Sequence, residues 1–131
     1  MSWPAIAAAA VLAFVASMAW YIAFAAQRSK LLGVAPDPGA GRRPPPPMKI
    51  IAELARNAVF AIALSWLIAA TGMTDLAGAV RLALVVWLAF PVLILAGSVL
   101  WENVPWRLAL IHAGDWFVKL VLVAAVLAIW R

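Results

Sequence analysis

Four long apolar stretches, separated by three polar interruptions, organise this chain. The first runs from about Trp3 to Ala26 and the second from about Ile51 to Thr71, with a polar first turn. The third is about Ala79 to Leu100 and the fourth about Arg107 to Trp130. Each holds roughly 20 residues or more, which as a helix crosses a hydrocarbon layer of about 30 Å. The pattern predicts an all-α fold, a four-transmembrane-helix bundle. Residues 1–131 form a single integral membrane domain, since four crossings leave no room for a soluble module.

Composition supports the same class. Of 131 residues, 68% are hydrophobic and 11% charged, more apolar surface than a soluble domain of this size can bury. The formal charge of +5 is carried by 10 scattered Lys and Arg, from which a nucleic-acid-binding face is hard to build. That charge instead points to membrane orientation and to anionic lipid headgroups as partners. There is no cysteine, so disulfide staples are excluded.

The first connection, 27–48, is proline-rich and carries Arg28, Lys30, Arg42 and Arg43, with Lys49 following. The second carries Asp75, with Arg81 just beyond, and the third ends at Arg107. The positive-inside rule places the first and third connections in the cytoplasm and both termini outside, toward the periplasm of a bacterial inner membrane. The first apolar stretch could be read as a secretory signal ending near Ala16-Ser17-Met18-Ala19. However, Met1 to Pro4 carries no side-chain cation and the stretch continues to basic residues, so an uncleaved crossing fits better. Pro44 to Pro47 are expected to be extended, a stiff linker loosened by Gly33, Gly39 and Gly41 ahead of it; a proline-recognition partner is the sharper alternative.

Several residues bear on packing. Trp3, Trp101, Trp106 and Trp130 lie near segment ends, where indoles suit the membrane interface, and Trp20, Trp66, Trp87 and Trp116 lie deeper. Ala9, Ala13 and Ser17 form a small-residue row, and Ala109, Ala113 and Gly114 offer a second close-packing surface. Pro91 interrupts the third segment and frees the carbonyl of Trp87.

The candidate chemistry is concentrated in two polar rows. His112, Asp115 and Lys119 are spaced by 3 and 4, so they share a face of the fourth helix. At about 1.5 Å per residue from Arg107, Lys119 sits roughly 18 Å along the axis, too deep to snorkel back easily. Glu53, Arg56 and Asn57 repeat the same spacing on the second helix. The simplest arrangement faces these rows toward each other: Asp115 pairs with Lys119 and with Arg56, and Glu53 meets His112 or Arg107. Trp116 lends its indole N–H to the site or serves as packing. Such a cluster can be a structural pairing network, an anchor for a small amphiphilic ligand, or part of a proton or cation path. Glu53, His112 and Asp115 have metal-ligand side chains but include only one histidine, so neither a metal nor any other cofactor is expected. No hydroxyl adjoins the His–Asp pair in sequence and no catalytic motif occurs, which weighs against an enzyme.

The segment LALIHAGDWFVKLVLVAAVLAIW resembles the carboxyl end of the bacterial DUF1761 family, of unknown function. The Trp20-Tyr21 pair, the passage TGMTDLAGAVRLALVVWLAF and the phrase SVLWENVPWRLALI agree with it in order and spacing, while the proline-rich connection does not take part. The resemblance implies a small four-helix membrane protein and no accepted activity. The family-like positions are Trp20, Tyr21, Glu102, Ala113, Gly114, Trp116 and Trp130. His112 stands where the family commonly has Asn, and Asp115 where an aromatic is common, so the resemblance implies that the charged row is particular to this chain. The expected role is a binding, sensing or accessory structural protein that self-associates, alone or within a larger membrane complex. The alternative is a transporter of a small amphiphile, cation or proton. Leu120 to Ile129 carries no charge or hydroxyl, which argues against a charged conduit through one protomer.

Overall fold

The computed structural model describes residues 2–33 and 44–130. The expectations for Gly39, Gly41, Arg42 and Arg43 lie outside these residues. Five helices make up the regular structure described: α1 (Trp3–Ala23), α2 (Ala25–Leu32), α3 (Pro47–Thr71), α4 (Leu76–Glu102) and α5 (Trp106–Ile129). All but the short α2 are long and apolar enough to cross a membrane. The fold is the all-α, four-span bundle that the hydropathy pattern requires.

The helix ends follow local chemistry and differ in places from the limits of the apolar runs. The Ser2 hydroxyl accepts the Ala5 N–H at 3.4 Å and starts α1. The chain bends at Phe24 (φ −103°, ψ 14°), inside the first apolar run, and resumes as α2. Residues expected to open the first connection, Gln27 to Lys30, are therefore helical. They are good helix formers, and helicity does not require them to be apolar. Gly33 ends α2 in the left-handed region, at φ 70°. Pro47, expected to be extended with its three predecessors, is instead the first residue of α3, where a missing N–H costs nothing and a fixed φ suits the helix. Pro91 does not break α4. The backbone widens into a π turn over Leu88–Val92, which accommodates the ring without ending the helix. Asn103, at φ 57°, then turns the chain toward Pro105 and α5.

Packing places α1 between α3 and α5, with α4 on the far flank of α5. The expected face-to-face contact of the second and fourth crossings is only slight, because α1 occupies that position. Its alanines explain why: Ala5, Ala9 and Ala13 are fully buried and let the backbones of α3 and α5 approach closely. Against them lie Ala61, Leu64 and Ile68 of α3 and Leu120, Val123 and Ala124 of α5, and Ala79 and Ala83 of α4 extend the same core on the other side of α5. This core occupies the half of the bundle that holds the α3–α4 turn and the start of α1. In the other half the small residues give way to Tyr21 and Trp116, and a cavity opens. Outward-facing residues such as Val59, Trp66, Ile94 and Leu100 stay exposed, as a lipid-facing surface requires.

Candidate functional site

Asp115 is the centre of the polar cluster. It is buried on α5, and its carboxylate accepts the Ser17 hydroxyl from α1 at 2.6 Å. The Lys119 ammonium lies 3.2 Å from the other carboxylate oxygen, one turn along the same helix. Lys119 is also buried, and its ammonium sits 4.0 Å from the centre of the Trp116 ring. Phe60 of α3 meets that indole edge to face, at 5.7 Å between ring centres. Trp116 thus contributes its ring face to the site. The charge pair is satisfied by α1 and α5; Arg56 is not part of it.

One turn nearer the α5 start, the Tyr21 hydroxyl and His112 Nδ1 are 2.7 Å apart. Which of the two donates depends on the imidazole tautomer. Arg28, on α2, places its guanidinium 5.1 Å from the Tyr21 ring centre. Two further indoles anchor α5 by donating to its backbone. Trp20 Nε1–H donates to the Ile111 carbonyl at 2.9 Å, and Trp87 Nε1–H donates to the Ala113 carbonyl at 2.8 Å. In a membrane interior such donors have no water to fall back on. Gly114 makes room for the first of them, because a Cβ there would run into the Trp20 indole.

The row on α3 behaves differently from the expectation. Glu53 pairs with Arg56 on its own helix and not with His112 or Arg107. Arg107 lies over the ring of its neighbour Trp106. Both side chains of the Glu53–Arg56 pair are substantially exposed, at 40% and 63%. Asn57 is buried, and its Nδ2 has no hydrogen-bond partner among the described residues. The displacement of α3 from α5 by α1 is the reason these two rows do not interlock.

The cavity between them has a volume of about 920 Å³. Ser17, Tyr21, His112 and Asp115 form its polar wall, and Arg28, Lys49, Glu53 and Arg56 lie around it. Phe14, Met18, Ile22 and Leu95 supply apolar lining. Asn57 does not line this cavity; it faces a smaller, mostly apolar one of about 410 Å³, which shares Arg56, Trp116 and Lys119 with the first. Among the described residues, no three His, Asp or Glu side chains gather closely enough to hold a metal ion.

Of the residues singled out from sequence, His112, Asp115, Lys119, Trp116, Glu53 and Arg56 all line the main cavity. Ser17, Tyr21, Trp20 and Arg28 complete the site but were not assigned to it from sequence. A signal was present: Ser17, Tyr21 and Arg28 are spaced by 4 and 7, so they lie along one helical stripe. Ser17 reads as a small packing residue and Tyr21 as part of an aromatic helix end, which hid that stripe.

The architecture defines the class: a multi-pass helical membrane protein with a polar cavity in one half of the bundle. Within that class, the chain belongs to the DUF1761 family (protein of unknown function), whose profile matches residues 4–128. No curated protein and no solved structure matches it.

Proposed function

We propose that this protein binds a small amphiphile within the bundle, acting as a binding, sensing or accessory component of a bacterial inner membrane. The observation that carries the reading is the 920 Å³ cavity, which joins a polar wall from α1 and α5 to an apolar lining. Its size and mixed lining are those of a small-molecule site. The excess of Lys and Arg at the cavity end, including Arg28, Lys30, Lys49 and Arg107, favours placing that end toward the cytoplasm. The Ser17–Asp115–Lys119 network ties that wall together across α1 and α5. A conduit has no comparable support. Beyond Lys119 the bundle interior is closed by Leu64, Ile68, Leu120, Val123 and Leu127, all buried.

Native mass spectrometry of the protein released from nanodiscs tests the reading. Wild type is expected to retain one small amphiphile per chain, and Ala25→Phe, which fills the cavity from α2, is expected to lose it. Identical retention by both proteins, with folding unchanged, would place any bound amphiphile elsewhere and refute the assignment.

A further inference from the structure

We propose that the cavity selects an anionic headgroup, a phosphate or carboxylate, and that Arg28 and Lys49 are the residues that hold it. This rests on the binding reading above and specifies its ligand. Among the described residues, four cations line the cavity (Arg28, Lys49, Arg56 and Lys119) against two carboxylates, Glu53 and Asp115. Both carboxylates are already matched, Glu53 by Arg56 and Asp115 by Lys119. Among the described residues Arg28 and Lys49 have no carboxylate partner.

Arg28 is partly buried, and its Nε has no hydrogen-bond partner among the described residues. Its guanidinium lies over the face of Tyr21, a contact that uses the π face and leaves the Nε donor without an acceptor among the described residues. A buried guanidinium donor without an acceptor is costly, and an anionic oxygen is the acceptor that satisfies it best. Lys49 adds a second cation from the first turn of α3, and Pro45 and Pro46 bring the start of that helix to the same cavity wall. Among the described residues that 25-residue helix has no side-chain cap and no acidic residue in its first turn, so its positive dipole end adds to the potential at this wall. Three sources of positive potential therefore converge at one end of the cavity.

The apolar lining makes the ligand an amphiphile. Met18 and Ile22 line the cavity and remain 38% and 52% exposed. An acyl chain can therefore lie along them and continue into the lipid while its headgroup reaches Arg28. His112 and Tyr21, hydrogen-bonded to each other in the polar wall, are placed to contact headgroup oxygens further in.

The test is calorimetric titration of the full chain in phosphatidylcholine nanodiscs with dodecyl phosphate, dodecanoate, dodecyltrimethylammonium and dodecyl maltoside. Dodecyl phosphate is expected to bind at least ten-fold more tightly than dodecyltrimethylammonium. Arg28→Gln and Lys49→Gln are each expected to weaken it about ten-fold, the scale of one charge-assisted contact. Arg107→Gln, which removes a cation at the same end but outside the cavity, is expected to change nothing. Lys49 is exposed, so its variant keeps the test decisive if Arg28→Gln unfolds. Competition by inorganic phosphate supports the anion site and assigns it to a free anion; failure to compete supports the site and assigns it to a lipid. Cationic or neutral amphiphiles binding as tightly, or equal losses in all three variants, would overturn the anionic assignment and leave amphiphile binding intact. No binding by any of the four would overturn both.

Discussion

Replacing Asp115 with Leu removes two things at once: the acceptor for the Ser17 hydroxyl at 2.6 Å and the negative partner of the Lys119 ammonium at 3.2 Å. Lys119 stays 4% exposed, roughly 18 Å along α5 from Arg107 at about 1.5 Å per residue. Its remaining stabilisation is the Trp116 face, worth about 0.5–2 kcal/mol, well short of what an unpaired buried ammonium requires. The single substitution should therefore cost about 3–5 kcal/mol. Replacing Asp115 and Lys119 together removes both charges, and Ser17 can turn its hydroxyl back to the carbonyl four residues earlier. The double variant should cost no more than about 2 kcal/mol, less than Asp115→Leu alone. Reversible unfolding of the four proteins of the cycle in bicelles measures the difference directly. Lys119→Leu alone leaves the Asp115 carboxylate with only the Ser17 hydroxyl and should cost at least about 1 kcal/mol, so a coupling of at least about 2 kcal/mol is expected, and additivity within about 0.5 kcal/mol would refute the buried pair.

Other consequences can be checked in the same assay. Gly114→Ala should destabilise by about 1–3 kcal/mol, because crowding the Trp20 indole outweighs the gain of about 1 kcal/mol in helix propensity; stabilisation would show that the indole is elsewhere. Tyr21→Phe should cost about 1–3 kcal/mol by leaving His112 Nδ1 unpaired. The imidazole ¹⁵N shifts should then move from one dominant tautomer toward a mixture; unchanged shifts would contradict the pairing. Trp87→Phe should cost about 0.5–1.5 kcal/mol through loss of the donor to the Ala113 carbonyl, measurable as faster hydrogen exchange in α4. Glu53→Gln should change stability by less than about 1 kcal/mol, since its pair with Arg56 is exposed; a loss comparable with that of Asp115→Leu would mean the pair is buried in the membrane-bound protein.

The family profile and the four-helix architecture bear out what the apolar runs and the carboxyl-terminal segment imply. The pair Asp115–Lys119 was also legible, because i,i+4 neighbours on a helix meet whatever the tertiary structure does. The partners of Glu53 and His112 were not. Each faces several candidates on other helices, and spacing within one helix says nothing about which neighbour it meets. Ser17 was the hardest to place. A serine in an alanine row packs like alanine until a carboxylate is brought opposite it. The π turn at Pro91 was half legible: proline requires some adjustment, but whether the helix kinks, breaks or widens depends on what its flanks pack against.

The sequence by itself determined four membrane-length helices, since backbone groups in hydrocarbon must be satisfied within their own segment and apolar length alone reports that. It also determined that polar groups lie deep within the fourth. Only the tertiary structure decided that α1 lies between α3 and α5, because fully buried alanines at Ala5, Ala9 and Ala13 allow an approach that larger residues do not. That placement gives Asp115 to Ser17 and His112 to Tyr21, leaves Glu53 with Arg56, and opens the cavity where the alanines end. Helix formation is local and readable along one chain. The choice of neighbour is a contest between whole surfaces, and it is settled only when they pack.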